Sequence, residues 1–316
     1  MEVEMSKIDK KQFEWVGANA TESESISRPS TSYWKDAMFR LSKNKVAVLS
    51  LIIIGVITLC SIIIPMLSPY TMSEQHLAHT YAPMGYKDAV DGHMHLFGTD
   101  TLGRDIFTRI WYGARISLFI SFTAVFVNFI IGIIYGGISG YMGGAVDNIM
   151  MRIIEIINGI PYLIVVILLM MVLPKGTMTL VAAYAAVGWT GMARLVRGQI
   201  MSLKQQDFVV AAKVMGAKPA RIIAKHLLPN TLSVVIVNIT LAIPSAIFTE
   251  AFLSYIGLGV PVPLASWGTL ANDGSRVFQM YPSQLIIPAI CISITMLSFN
   301  LLGDGLRDAL DPKLRR

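Results

Sequence analysis

Charge is scarce in this sequence: Asp, Glu, Lys and Arg make up 15% of the 316 residues. A water-soluble domain uses about 25% to cover its surface, so this composition points away from a soluble fold. Cysteine is nearly absent. Cys60 and Cys291 each sit inside an apolar block, which argues against a disulfide framework or a thiolate metal site. No G-x-x-x-x-G-K-[ST] stretch occurs, so the chain has no P-loop with which to cradle ATP phosphates. Neither a Ser/His/Asp set nor an H-E-x-x-H motif stands out, which argues against a membrane enzyme. The first ~35 residues lack an apolar signal-like core, so no cleavable signal is expected and the first span stays as an anchor.

What is abundant is apolar residues, 54% of the chain with a mean hydropathy of +0.59, gathered in long blocks. Val46 to Leu67 carries no charge, and a run of ~20 such residues crosses a bilayer. The pattern predicts an all-α integral membrane protein with about six transmembrane helices. Residues 1–45 read as a polar tail followed by a basic segment, Ser30 to Lys45, that is either a surface amphipathic helix or an ordinary flank. The first span is 46–67, and a polar extracytoplasmic loop covers 68–112. A five-helix core at 113–304 holds spans near 116–138, 147–173, 178–196, 231–256 and 284–302. Residues 305–316 form a C-terminal tail. Asp147 is expected to cap the third span and Pro161 to kink it.

Of the 26 Lys and Arg residues, 20 fall in the tail, the 138–152 turn, the 194–230 segment and the C-terminus. The remainder are Lys87, Arg104, Arg109, Arg115, Lys175 and Arg276. The positive-inside rule then puts both termini in the cytoplasm of a multi-pass plasma or inner membrane protein. The net charge of +6 is explained by this topology, without nucleic acid as a partner.

The most informative stretch is Gln206 to Asn230, QDFVVAAKVMGAKPARIIAKHLLPN. Phe208, Val209, Ala211, Ala212 and Met215 give a short helix with an apolar side. Gly216 supplies a left-handed stop, and Pro219 suits the first turn of a second helix bearing Ile222, Ile223, Leu227 and Leu228. Pro229 is expected to break the chain before the next span. The reading is a helix–turn–helix under the membrane, within a cytoplasmic loop at 199–230, where small Ala211 and Ala212 admit a partner.

This segment resembles the EAA loop of ABC importer permeases: Glu-Ala-Ala, three residues, Gly, nine residues, Ile, any residue, Leu-Pro. Ala211, Ala212, Gly216, Leu228 and Pro229 match, whereas Val210 replaces Glu and His226 replaces Ile. Two further stretches, 95–118 and 253–274, together with 299–315, are similar to the C-type permease subunits of peptide and nickel importers. The resemblance covers roughly residues 40–316 and implies a type I ABC importer permease fold. It also implies an ATPase-coupling role for the loop, including Lys218 and Pro219. The implied partners are a second homologous permease, two ABC ATPase subunits that bind ATP and Mg, an extracytoplasmic peptide-binding protein and membrane lipid. This chain itself is expected to hold no cofactor. The function so implied is peptide import by alternating access. A nickel or other small-solute importer, or a stand-alone secondary transporter, is the alternative.

Other candidates come from charge near the membrane. Glu250 is expected to pair with Arg109, Arg115 or Arg276 at an outer gate. Arg152 and Glu155 are expected to form a structural pair across one helical turn. Gly132, Gly136, Gly140 and Gly144 mark a small-residue packing stripe. His76, His79, His93 and His95 read as solvated loop residues and not as metal ligands, because no carboxylate framework accompanies them in sequence.

Overall fold

The computed structural model describes residues 33–88 and 92–311, and the protein is helical almost throughout. The polar tail at 1–32 and the last residues, 312–316, lie outside the described part, as does Asp91 in the loop. Helix α1 (Tyr33–Lys43) lies before α2 (Lys45–Leu67), and Asn44 between them caps α2 by accepting from the Val46 and Ala47 amides. The α1 helix is amphipathic: Ala37 and Leu41 are buried while Trp34, Met38 and Phe39 are exposed. The Tyr33 hydroxyl donates to the Leu310 carbonyl, tying this helix to the end of the chain.

Helix α2 is apolar on every side, with Leu49, Ile52, Val56 and Leu59 all exposed, as suits a helix bathed in lipid. A connection containing a 3-10 turn (Leu77–His79) and a short antiparallel hairpin, β1 (Tyr86–Lys87) with β2 (Met94–His95), follows. It is shorter than the sequence suggests. Helix α3 (Ile106–Met142) begins at Asp105, whose carboxylate accepts from the Thr108 amide. At 37 residues it is ~55 Å long, well beyond a bilayer core.

The third span is not one kinked helix. Helices α4 (Gly144–Asn158) and α5 (Tyr162–Val172) meet at an 80° bend across Gly159, Ile160 and Pro161. Pro161 disfavours helix at Ile160 and stands as the cap of α5, so the segment turns instead of bending gently. Asp147 does not cap α4. That position belongs to Gly143, and Asp147 lies in the first turn, engaged elsewhere. Helix α6 (Thr177–Leu203) packs along α3, and a short α7 (Asp207–Val214) follows.

Helix α8 (Pro219–Leu258) is the largest surprise, running 40 residues from the polar segment through the fifth span. Pro229 does not interrupt it, because wide π-type turns at Ile223–Leu227 precede the proline and absorb its missing N–H. A second wide turn at Ser254–Leu258 ends it near Gly257, at φ +89°. Helix α9 (Trp267–Arg276) opens with a capping box from Ser266 and Thr269, and α10 (Ser283–Leu310) closes the bundle. Among the described residues, five helices are long and apolar enough to cross a membrane, or six with the bent pair as one span.

Close packing follows the glycines. A Cβ on Gly132 would lie 2.6 Å from Met192, and one on Gly136 would collide with the Ala193 carbonyl. One on Gly140 would lie 2.8 Å from the Arg197 carbonyl, so α3 and α6 approach backbone to backbone. Gly144 is not part of this stripe. It has a φ of +56°, starts α4 and has open space around it.

Candidate functional site

The Gln206–Asn230 segment folds as two helices joined at a tight turn. Helix α7 ends at Val214 with Met215 as its cap, and Gly216 takes a φ of +78°, a conformation that costs a residue with a Cβ. The turn is closed by the Gly216 amide on the Lys213 carbonyl and the Ala217 amide on the Ala212 carbonyl. Lys218 precedes α8 in extended conformation, and Pro219 occupies its first turn, where no N–H is needed.

One face of this unit is fixed to the bundle. Val209, Ala212, Ile222 and Leu227 are fully or almost fully buried against Met192, Val196, Ile200 and Val235. The other face is open: Val214 is 84% and Met215 80% exposed, with Phe208 and Val210 at 41% and 48%. Ala211, Gly216, Lys218 and Pro219 are exposed as well, and His226 and Leu228 are half-buried. Ala212 therefore serves the protein's own core, whereas Ala211 stays exposed. The unit is a two-sided knob, buried on one side and exposing large apolar groups on the other.

At the opposite end of α8, Glu250 is 3% exposed and meets no arginine among the described residues. Its two oxygens accept from the Ser117 hydroxyl and the Ser254 hydroxyl, each at 2.7 Å. The Trp267 amide donates to Ser117 Oγ at 3.1 Å, and Ser266 Oγ donates to Ser254 Oγ at 3.2 Å. Three segments, α3, α8 and the start of α9, are thereby bound to one carboxyl group. The arginines are used or placed elsewhere. Arg109 is buried and donates to Asp100, with Asp273 3.8 Å away, while Arg115 and Arg276 are exposed. Arg104 Nε also donates to Asp100, at 2.7 Å. Serine hydroxyls satisfy the buried Glu250 without requiring a second desolvated charge.

Arg152 and Glu155 do pair, at 2.8 Å, on an exposed face. Such a pair contributes little to stability. With Asn148, Met151, Arg194 and Arg197 they line an open cleft of about 620 Å³. The stronger nearby interaction is Asp147 with Arg197, a two-pronged pair to which the Ser139 hydroxyl also donates. It joins the end of α3, the start of α4 and the last third of α6. Nothing local in the sequence announces it, since the two residues are 50 positions apart.

The loop histidines divide: His93 is exposed, as a solvated loop residue should be, whereas the other three lie beside carboxylates. His95 is buried with Nδ1 2.8 Å from the Asp105 carboxylate, and His79 Nδ1 lies 3.1 Å from Asp88. Tyr70 stacks on the His95 ring at 4.3 Å. The carboxylates that appear to be missing from the linear sequence are supplied by the hairpin and by the cap of α3.

Against known proteins, residues 128–316 match the model of the binding-protein-dependent transport system inner membrane component family. Residues 32–83 match the N-terminal TM domain of oligopeptide transport permease C. The chain is 53% identical to the oligopeptide transport system permease protein OppC of Bacillus subtilis, over 99% of this chain and 100% of that relative. It is 51% identical to the dipeptide transport system permease protein DppC of the same organism, over 96% and 94% of the two chains. It is 43% identical to OppC of Escherichia coli, over 93% and 95%. Among solved structures it resembles a chain of the inward-facing MetNI methionine ABC transporter, with a TM-score of 0.54 and 19% identity. That match covers 65% of this chain and 98% of the other, and it supports the type I ABC permease fold. With its helical bundle, its two-helix knob and these matches over nearly its full length, the chain belongs to the family of binding-protein-dependent transport system inner membrane components.

Proposed function

We propose that this chain forms one half of the membrane pathway of an ATP-driven importer that takes up oligopeptides or dipeptides by alternating access. The observation that carries the mechanism is the two-sided construction of the 206–230 unit. Its inner face is locked into the bundle by Val209, Ala212, Ile222 and Leu227, so force applied to the outer face cannot be dissipated in a loose loop. Its outer face offers Phe208, Val210, Val214 and Met215 to a groove on an ATPase subunit. Nucleotide-driven closure of two such ATPases, which bind ATP and Mg, then moves α8 directly, and with it the Glu250 cluster at the other end.

Peptide as the cargo is supported by relatives named as oligopeptide and dipeptide permeases, at 51–53% identity over almost the full length. The Lys and Arg bias supports placing both termini and the 199–230 segment in the cytoplasm, with residues 68–105 outside. In that orientation an extracytoplasmic binding protein delivers peptide to the Glu250 end, and a second, related permease completes the pathway.

Purification in mild detergent from the native host tests the reading. A second permease and P-loop subunits are expected to co-purify, and ATPase activity is expected to be lost when 206–229 is deleted. Recovery of the chain alone, with uptake driven by an ion gradient, would refute it.

A further inference from the structure

The connection between α2 and α3 carries a cluster that the transport mechanism does not use. One candidate ligand atom from each of His76, His79 and Asp88 lies within 4.8 Å of the others. His76 and His79 bracket the 3-10 turn, whose three-residue period eclipses side chains three apart, so both rings project to the same side. Their planes are parallel within 8°, with centroids 6.4 Å apart. Asp88 sits just past β1, its amide bonded to the His93 carbonyl and its carbonyl accepting from Gly92. The Asp88 side chain is 1% exposed.

The nitrogens that face this cluster are poorly served by protein. His76 Nε2 and His79 Nδ1 are both buried and lack a hydrogen-bond partner. His79 Nδ1 is 3.1 Å from Asp88 Oδ2 but not aligned for a hydrogen bond, and His76 Nε2 is 3.4 Å from Glu74 Oε1. Buried imidazole nitrogens without partners are costly. A cation bound to both would satisfy them. Two imidazoles and a carboxylate are a donor set for a divalent transition ion, with Glu74 or water as a fourth ligand. Tetrahedral ligands ~2.1 Å from an ion are about 3.4 Å apart, so each ligand atom need move by no more than about 1 Å.

We propose that His76, His79 and Asp88, assisted by Glu74, form a binding site for a divalent transition-metal ion of the zinc class, which clips the Leu77–His79 turn to the β1 hairpin. The bound ion adds a cross-link between the Leu77–His79 turn and the hairpin to the backbone bonds already there, and so stiffens the surface above α3 and α10. The site is independent of cargo and of the ATPase contact.

The test uses the full chain in its assembled complex, stripped with a chelator and titrated with Zn²⁺ against a chromophoric competitor. Wild type is expected to bind one equivalent saturably, and zinc is expected to slow proteolysis within 76–95. His79→Ala and Asp88→Asn should weaken binding by more than the ~10–100-fold that loss of a supporting group causes. His93→Ala, outside the cluster, should bind as wild type. If His79→Ala does not assemble, His79→Gln gives the same readout with a neutral polar side chain of similar length. Absence of a saturable equivalent in wild type, or unchanged affinity in the His79 and Asp88 variants, would overturn the proposal.

Discussion

Replacing Glu250 by alanine removes the acceptor on which Ser117 and Ser254 converge, and leaves their hydroxyls in a site where Ser117, Ser254 and Ser266 are each 2% exposed or less. Each lost hydrogen bond is worth about 0.5–3 kcal/mol in soluble proteins, depending on charge. Double-mutant cycles within membranes give less, ~0.6 kcal/mol on average and ~1.7 at most, because the unfolded chain in lipid also finds partners. Two bonds on this reduced scale, with the stranded hydroxyls added, predict a loss of about 2–4 kcal/mol. The assay is reversible unfolding of the chain in mixed micelles, arranged as two double-mutant cycles. Glu250 with Ser254 should show a coupling of about 0.6–1.7 kcal/mol, and Glu250 with Arg276 should show about zero. Equal destabilisation by Glu250→Ala and Arg276→Gln, with strong coupling between them and none to Ser254, would refute the serine-centred account and restore an ion pair.

Two further outcomes follow from exposure and spacing. Met215→Ala should leave thermal stability unchanged, because the side chain is 80% exposed, yet weaken ATPase binding ~10–30-fold by removing about 1.5–2 kcal/mol of burial; a pull-down titration measures it. Gly136→Ala should destabilise the bundle by about 1–3 kcal/mol, since its Cβ collides with the Ala193 carbonyl. Gly198→Ala, with open space around it, should be neutral or slightly stabilising in the same unfolding assay.

Membrane residence and most helices are legible because lipid imposes long uninterrupted runs, such as Val46 to Leu67 within α2. Gly216 is legible too, since the end of an apolar helix followed by Ala-Lys-Pro leaves few other ways to turn the chain. The errors share a cause: each concerns what lies beside a residue in space. Glu250 and Ser117 are 133 positions apart, and serine carries no signal in the sequence that marks it as a carboxylate partner. Pro229 reads as a breaker by local rules, whereas the wide turns before it let the helix continue. Pro161 fails in the other direction: a single proline suggests a kink, and Gly159 just before it turns the kink into an 80° corner. His79 and His95 read as solvated because their carboxylates, Asp88 and Asp105, lie 9 and 10 residues further on.

The unbroken course of α8 has a mechanical consequence. Its 40 residues make a strut about 60 Å long, with Lys218 and the exposed knob at one tip and Glu250 and Ser254 near the other. A tilt of ~10° about its middle displaces both tips by about 5 Å in opposite directions, with no intermediary needed. Wide turns at both extremities give the strut compliant joints, and Pro244 lies within the shaft between them. Such a see-saw transmits equally well from either end. Whatever free energy the knob's engagement confers on the Glu250 end, occupancy at the Glu250 end must return to the knob.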